Sequence, residues 1–171
     1  YQKKIARKDL KEIKILERDT DLEHKTDTVH IRVTLIHNNS EITGQLKLYY
    51  RKREGDWVLN RIRDKGHLEY RPLTEVDTSN LKAALANNRL PLLDGGWFLK
   101  EDEIERIKVL NQNSNLEDKT ADVSIQLSLK NDFIATSGKL KLNYEFKRGY
   151  WKIKDIKKQG EFKNEFKISY E

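Results

Sequence analysis

Apolar residues recur at every second position in several stretches of this chain. Val29, Ile31, Val33 and Leu35 alternate with His30, Arg32 and Thr34, and Leu46, Leu48 and Tyr50 alternate with Lys47 and Tyr49. Further along, Val123, Ile125, Leu127 and Leu129 do the same, followed by Leu140, Leu142 and Tyr144. A period of two, carried by β-branched, leucine and aromatic residues, predicts antiparallel strands with one apolar and one wet face. Asn38-Asn39, Glu54-Gly55-Asp56, Asn131-Asp132 and Arg148-Gly149 supply turn chemistry between the runs. The predicted strands span 10–18, 27–37, 40–53 and 56–64, then 104–112, 121–131, 134–147 and 150–158. Short edge strands follow at 67–71 and 161–169.

The two sets of strands are copies. "GDWVLNRIRDKG" at 55–66 and "GYWKIKDIKKQG" at 149–160 lie 94 positions apart. With that offset, 19 of the 54 positions from 13 to 66 are identical and no gap is needed. They include Val29/Val123, Gly44/Gly138, Leu48/Leu142, Tyr50/Tyr144, Trp57/Trp151 and Ile62/Ile156. A repeat of this quality implies a duplicated domain. The expected division is a first repeat at 1–72 and a second at 73–171.

Two irregularities recur in both copies. Trp57 and Leu59 share a face, yet the next apolar residue is Ile62; Trp151, Ile153 and Ile156 repeat the slip. A change of phase inside a strand predicts a β-bulge, near 60–61 and 154–155. Gly44 and Gly138 sit inside strand patterns, where glycine favours a bend or a close approach. Both devices curve a sheet, and a helix is the usual filler of the concavity.

One helix is predicted, over 78–89 in "TEVDTSNLKAALANNRLPLLDGG". Asp77, Thr78 or Ser79 can cap it, Leu81, Ala84 and Leu85 form its stripe, and Pro91 and Gly95-Gly96 close it. Trp97 and Phe98 are expected to pack it onto the sheet. Its counterpart in the first copy would fall before residue 1. The expected fold is therefore α+β: two tandem repeats of a curved antiparallel sheet of four to five strands packed on a helix, the first repeat lacking its own.

Charge changes this picture little. Lys and Arg number 34 against 28 Asp and Glu, for a net charge of +6. The excess is interleaved with acids, which argues against a nucleic-acid domain with its concentrated basic face. The densest basic positions are Arg51, Lys52 and Arg53, then Lys152, Lys154, Lys157 and Lys158. They are the candidate contacts for a partner protein or an anionic polymer. The absence of cysteine excludes disulfides, zinc–thiolate sites and thiol catalysis, and suits an exported protein of a bacterium that does not rely on disulfides. The absence of methionine reads as a mature product or excised fragment.

Catalytic chemistry finds little purchase. His24, His30, His37 and His67 all lie in the first copy, and no pair has metal-ligand spacing. Asp118, Ser124, Asn131 and Glu161 stand at their counterparts. The acids of "ERDTDLE" become mostly asparagine in "NQNSNLE", which is poor ground for calcium. No nucleophile elbow or phosphate loop is present. Trp57 and Trp151 read as core anchors. No catalytic residue, cofactor or metal ligand is assigned.

Several stretches together resemble a family: "SNLKAALANNRLPL", "GGWFLKEDEIERIKVL", "TADVSIQLSLKN" and "SGKLKLNYEFKRGYWKIKDI", with their first-copy equivalents. They are similar to the NTF2-like/cystatin-like repeats in the extracellular parts of Gram-positive membrane-anchored proteins of the TcaA/YvbJ type. The resemblance implies a non-catalytic, extracellular cell-envelope accessory module: a spacer and docking domain for a partner protein or an anionic wall polymer. Membrane contact would come only through an anchor outside this chain. The alternative is an NTF2-like cone that binds or transforms a small ligand between helix and sheet.

Overall fold

Both copies fold as antiparallel meanders, and they share their register down to the irregularities. The computed structural model describes residues 6–92 and 96–167. The chain divides into two compact units, Tyr1–Leu73 and Thr74–Glu171.

In the first unit, β1 (Leu10–Asp21), β2 (Thr26–His37), β3 (Ser40–Arg53) and β4 (Asp56–Asp64) pair in chain order. β5 (Glu69–Pro72) pairs with the start of β3, so β4 and β5 together line one edge. In the second unit, β8 (Ile104–Asn115), β9 (Thr120–Lys130), β10 (Ile134–Lys147) and β11 (Tyr150–Phe166) form the equivalent sheet. Residues 168 and 169 of the predicted last strand lie outside the described residues.

The bulges coincide after the 94-residue shift. β1 slips against β2 between Leu10 and Glu12 and between Ile15 and Glu17; β8 slips against β9 between Ile104 and Arg106 and between Val109 and Asn111. The bulges expected near 60 and 154 are present, opposite the Tyr49/Tyr50 and Asn143/Tyr144 steps. The two glycines also act alike. A Cβ on Gly44 would lie 2.7 Å from the Leu68 side chain, and one on Gly138 would lie 2.6 Å from the Phe162 ring. At each position the missing side chain lets the returning chain lay a residue against the sheet, the Phe162 ring on Gly138 and the end of Leu68 on Gly44.

The expected α+β class does not hold. The protein is mostly β, with three sheets and one short α-helix, α1 (Leu81–Leu85), among the described residues. The predicted helix over 78–89 fails at both ends for local reasons. Asp77 spends its carboxylate on the Ser79 N–H at 2.9 Å, forming a turn ahead of the helix. Ala86 is already extended (φ −55°, ψ 143°), and Asn87 is left-handed (φ 65°). Asn88 then turns its side-chain amide back to the carbonyls of Ala84 and Leu85, at 2.9 and 3.2 Å, as a C-terminal cap. From there the chain becomes β6 (Arg89–Leu90), which pairs with β7 (Trp97–Phe98). What lies on the second sheet is therefore a composite segment, one helical turn and a two-residue ladder. Among the described residues of the first unit there is no α-helix, only a 3-10 turn at Arg7–Asp9.

Candidate docking surface on the first unit

The second unit shows what its sheet is built to hold. Opposed residues of neighbouring strands share a face, which places Val123, Ile125, Leu127, Leu140 and Leu142 together. All five have no solvent exposure. Val76, Leu81, Leu85, Leu90, Leu92, Trp97 and Leu99, all from the preceding composite segment, pack on them. Trp97 serves as the expected anchor, whereas Phe98 points away and is exposed. Backbone bonds close the cover on itself: Asn87 N–H donates to Leu99 O and Leu99 N–H to Asn88 O. Glu103 Oε2 accepts from Trp97 Nε1 and from the Lys100 N–H, each at 3.0 Å.

Two side-chain donors fasten the lead-in of the cover, one from each edge strand. Trp151 on β11 donates Nε1–H to Thr74 O at 3.1 Å, and Gln112 on β8 donates Nε2–H to Val76 O at 2.8 Å. The segment thus crosses the sheet from edge to edge and is held through two carbonyls, two residues apart. Trp151 also stacks edge-on against its cross-strand partner Phe146, with centroids 5.3 Å apart.

Among the described residues, the first unit has the same face without a cover, and only its central Val29 and Ile31 are buried. Val29, Ile31, Val33 and Leu35 oppose Leu48, Leu46, Gly44 and Ile42 in the register of their counterparts. Leu46 and Leu48 are only half-buried. Ile13, Ile15, Ile62 and Leu68 are 54%, 60%, 54% and 56% exposed. A contiguous apolar surface of this kind marks an interaction site.

The face ends in a polar cluster. Arg18 opposes Val29 and Thr20 opposes Asp27 after the bulge, so all of them project on the apolar side. Asp27 is 3% exposed and accepts from Arg18 Nε at 3.0 Å, Arg18 Nη2 at 2.5 Å and Thr20 Oγ1 at 2.9 Å. The Arg18 hydrogen bond, with a smaller one from Thr20, holds the Asp27 carboxyl below its ordinary range. At the counterpart positions stand Gln112, Ser114 and Ala121; the Ser114 hydroxyl is buried without a partner among the described residues. Tyr144 in the same row is buried, its hydroxyl also lacks a partner, and burial raises its pKa.

The basic residues singled out from sequence do not form one patch. Arg51, Lys52 and Arg53 close β3 in the first unit, with Lys52 opposite Trp57 on the apolar side and the two arginines on the other. Lys152, Lys154, Lys157 and Lys158 lie along the edge strand β11 of the second unit. All seven are exposed. Lys157 pairs with Asp155 at 3.4 Å, Lys154 occupies the bulge, and Lys158 stands opposite Leu140 on the apolar side. A charge on the apolar side of an edge strand discourages further strand pairing.

The histidines serve local contacts: His24 with Asp21 at 2.7 Å, His30 with Gln45 at 2.9 Å, His37 with Asp9 at 3.6 Å. No three His, Asp or Glu side chains converge on a common point among the described residues. The depressions are open and mixed in charge. One of about 420 Å³ lies between Arg89, Leu90 and the Lys154–Asp155 bulge. Another, of about 400 Å³, is bounded by Glu12, Arg32, Lys65, His67 and Glu69 on the polar face of the first unit.

Sequence reading missed the Arg18–Asp27 cluster and the two donors that fasten the cover. A signal was present: Asp27 stands where the alternation calls for an apolar residue, and its counterpart is Ala121. No known protein-family model matches this chain, and no curated protein does either.

Proposed function

We propose that this chain is a non-catalytic docking and spacer module of the cell envelope that holds a partner protein on the apolar sheet face of its first unit. One observation carries the reading: two sheets share their register and bulges, and one is sealed by leucines while, among the described residues, its twin buries only Val29 and Ile31 at the centre and leaves Leu46 and Leu48 half-buried and Ile13, Ile15 and Ile62 exposed. The twin's half-buried Leu46 and Leu48 leave apolar area in water that a partner would remove. Envelope placement rests on the resemblance described above and on the absence of cysteine. The alternative of a ligand cone has less support, because Leu85, Leu90, Leu99, Leu140 and Leu142 fill the space between cover and sheet in the second unit.

An anionic wall polymer is the second candidate occupant, on different residues. It is favoured by the exposure of Arg51, Lys52, Arg53, Lys152, Lys154 and Lys158, which have no ion-pair partner among the described residues. A photo-reactive amino acid at position 62, 47 or 154 of the full chain, irradiated in intact envelopes, separates the candidates. Docking predicts a protein adduct from position 62 and none from 47. Adducts only from 154, lost at high salt, would assign the polymer instead.

A further inference from the structure

The donors that fasten the cover of the second unit have equivalents on the corresponding, partly exposed face of the first. Trp57 corresponds to Trp151, on the β4 edge, and Arg18 corresponds to Gln112, on the β1 edge. Trp57 is opposed by Lys52 where Trp151 is opposed by Phe146. The Trp57 indole N–H has no hydrogen-bond partner among the described residues, whereas that of Trp151 bonds Thr74 O. Arg18 commits Nε and Nη2 to Asp27, and its side chain stays 54% exposed. A guanidinium carries five N–H donors, so hydrogen-bonding capacity remains. The residues between these donors, Ile31, Leu46, Leu48 and Ile62, match the floor on which Leu81, Leu85 and Leu90 rest in the second unit.

We infer that the first unit binds a partner polypeptide segment of the cover type. This inference rests on the docking reading above and names the occupant. The segment enters extended and crosses the end of the sheet, giving two backbone carbonyls, two residues apart, to Trp57 and Arg18. A short turn of helix with leucines four apart, spaced like Leu81 and Leu85, then lies on Leu46 and Leu48. The chain's own cover does not meet this need: moved onto the first sheet, it would leave Val123, Ile125 and Leu142 of the second in water, with no net gain of buried area. A second copy's cover fails for the same reason.

The probe is a synthetic peptide of residues 74–100 added to the full chain and followed by calorimetry, with light scattering to report the mass. The tethered cover keeps its place in the second unit through its high effective concentration. The expected result is one peptide per chain, with Ile62→Glu abolishing binding and Trp57→Phe weakening it about five-fold, the worth of one neutral hydrogen bond. Trp151→Phe should leave the affinity unchanged. A scrambled peptide binding equally well would overturn the inference, as would binding indifferent to both Ile62→Glu and Trp57→Phe. Dimerisation of the chain, lost in Ile62→Glu, would overturn it by assigning the face to a second copy. If the peptide fails to bind while position 62 still crosslinks to a protein, docking stands and the cover-type segment falls. If both fail, both fall.

Discussion

The ring of Phe162 lies on Gly138 so closely that a Cβ at that position would sit 2.6 Å from two ring carbons. Phe162 is part of the packed second unit, wedged beside Leu140 and its neighbours. Gly138→Ala should therefore force the ring or the strand to move and cost about 1–3 kcal/mol. In the first copy the neighbour of Gly44 is the end of the exposed Leu68 side chain, at 2.7 Å. That side chain can swing away, so Gly44→Ala should cost less than about 1 kcal/mol. Chemical denaturation of the two variants tests the contrast; equal costs would mean that Leu68 is as tightly held as Phe162.

Tyr144 is the opposite case, a group whose removal should help. Its hydroxyl is buried with no partner among the described residues, while the ring is part of the apolar cluster. Tyr144→Phe keeps the ring and deletes the unpaired polar atom, and should stabilise the second unit by about 1 kcal/mol. A loss of stability on thermal unfolding would show that the hydroxyl has a partner in solution.

Trp57 and Trp151 should respond differently to the same change. Trp151 holds the Thr74 carbonyl and meets Phe146 edge-on, so Trp151→Phe should cost about 1–2 kcal/mol. It should also speed hydrogen exchange at the Asn87 and Leu99 amides inside the cover. Trp57→Phe, with no bond of its indole N–H to lose among the described residues, should leave the stability of the unliganded chain within about 0.5 kcal/mol.

The acid limb of stability should depend on Asp27. Its folded-state pKa is lowered, first by the Arg18 hydrogen bond, so the unfolded chain binds a proton here more readily than the folded one. The resulting stabilisation is complete above the ordinary carboxylate range, near 3.8, and is lost as pH falls through the depressed folded value. Asp21, Glu41 and Asp77, also lowered, act in the same direction. Denaturation midpoints measured from pH 6 down to about pH 2 should fall steeply for the native chain and less steeply for Asp27→Asn. Parallel curves would show that Asp27 titrates normally.

The longer strands were legible because apolar and polar residues alternate along them and Asn, Asp or Gly marks the turns between them. The duplication sharpened them, since a slip such as Leu59 to Ile62 is more convincing when Ile153 to Ile156 repeats it. The cover was misread. Leu81, Ala84 and Leu85 carry helical spacing, but it lasts only five residues, and Asn87-Asn88 belong to a turn whose partner, Leu99, lies twelve and eleven residues ahead of them. Spacing alone does not report such tertiary closure. The candidate site was hidden for a related reason. Alternation marks Ile13, Ile15 and Ile62 as facing an interior, and only packing reveals that Leu140 and Leu142 are sealed while these three are more than half exposed. The basic residues attracted notice through density in sequence, yet strand alternation scatters Lys52 and the two arginines beside it to opposite faces.

The uncovered face can be tested with a thiol, since the chain has no cysteine of its own. Leu48→Cys and Leu142→Cys place one at equivalent positions of the two sheets, and their reaction rates with an aromatic disulfide reagent under native conditions report access. Leu142 has no solvent exposure and Leu48 is half-buried, so Leu48→Cys should react at least about ten times faster. Equal protection of the two thiols would show that the first sheet is sealed in the isolated chain, leaving no face for a partner to occupy.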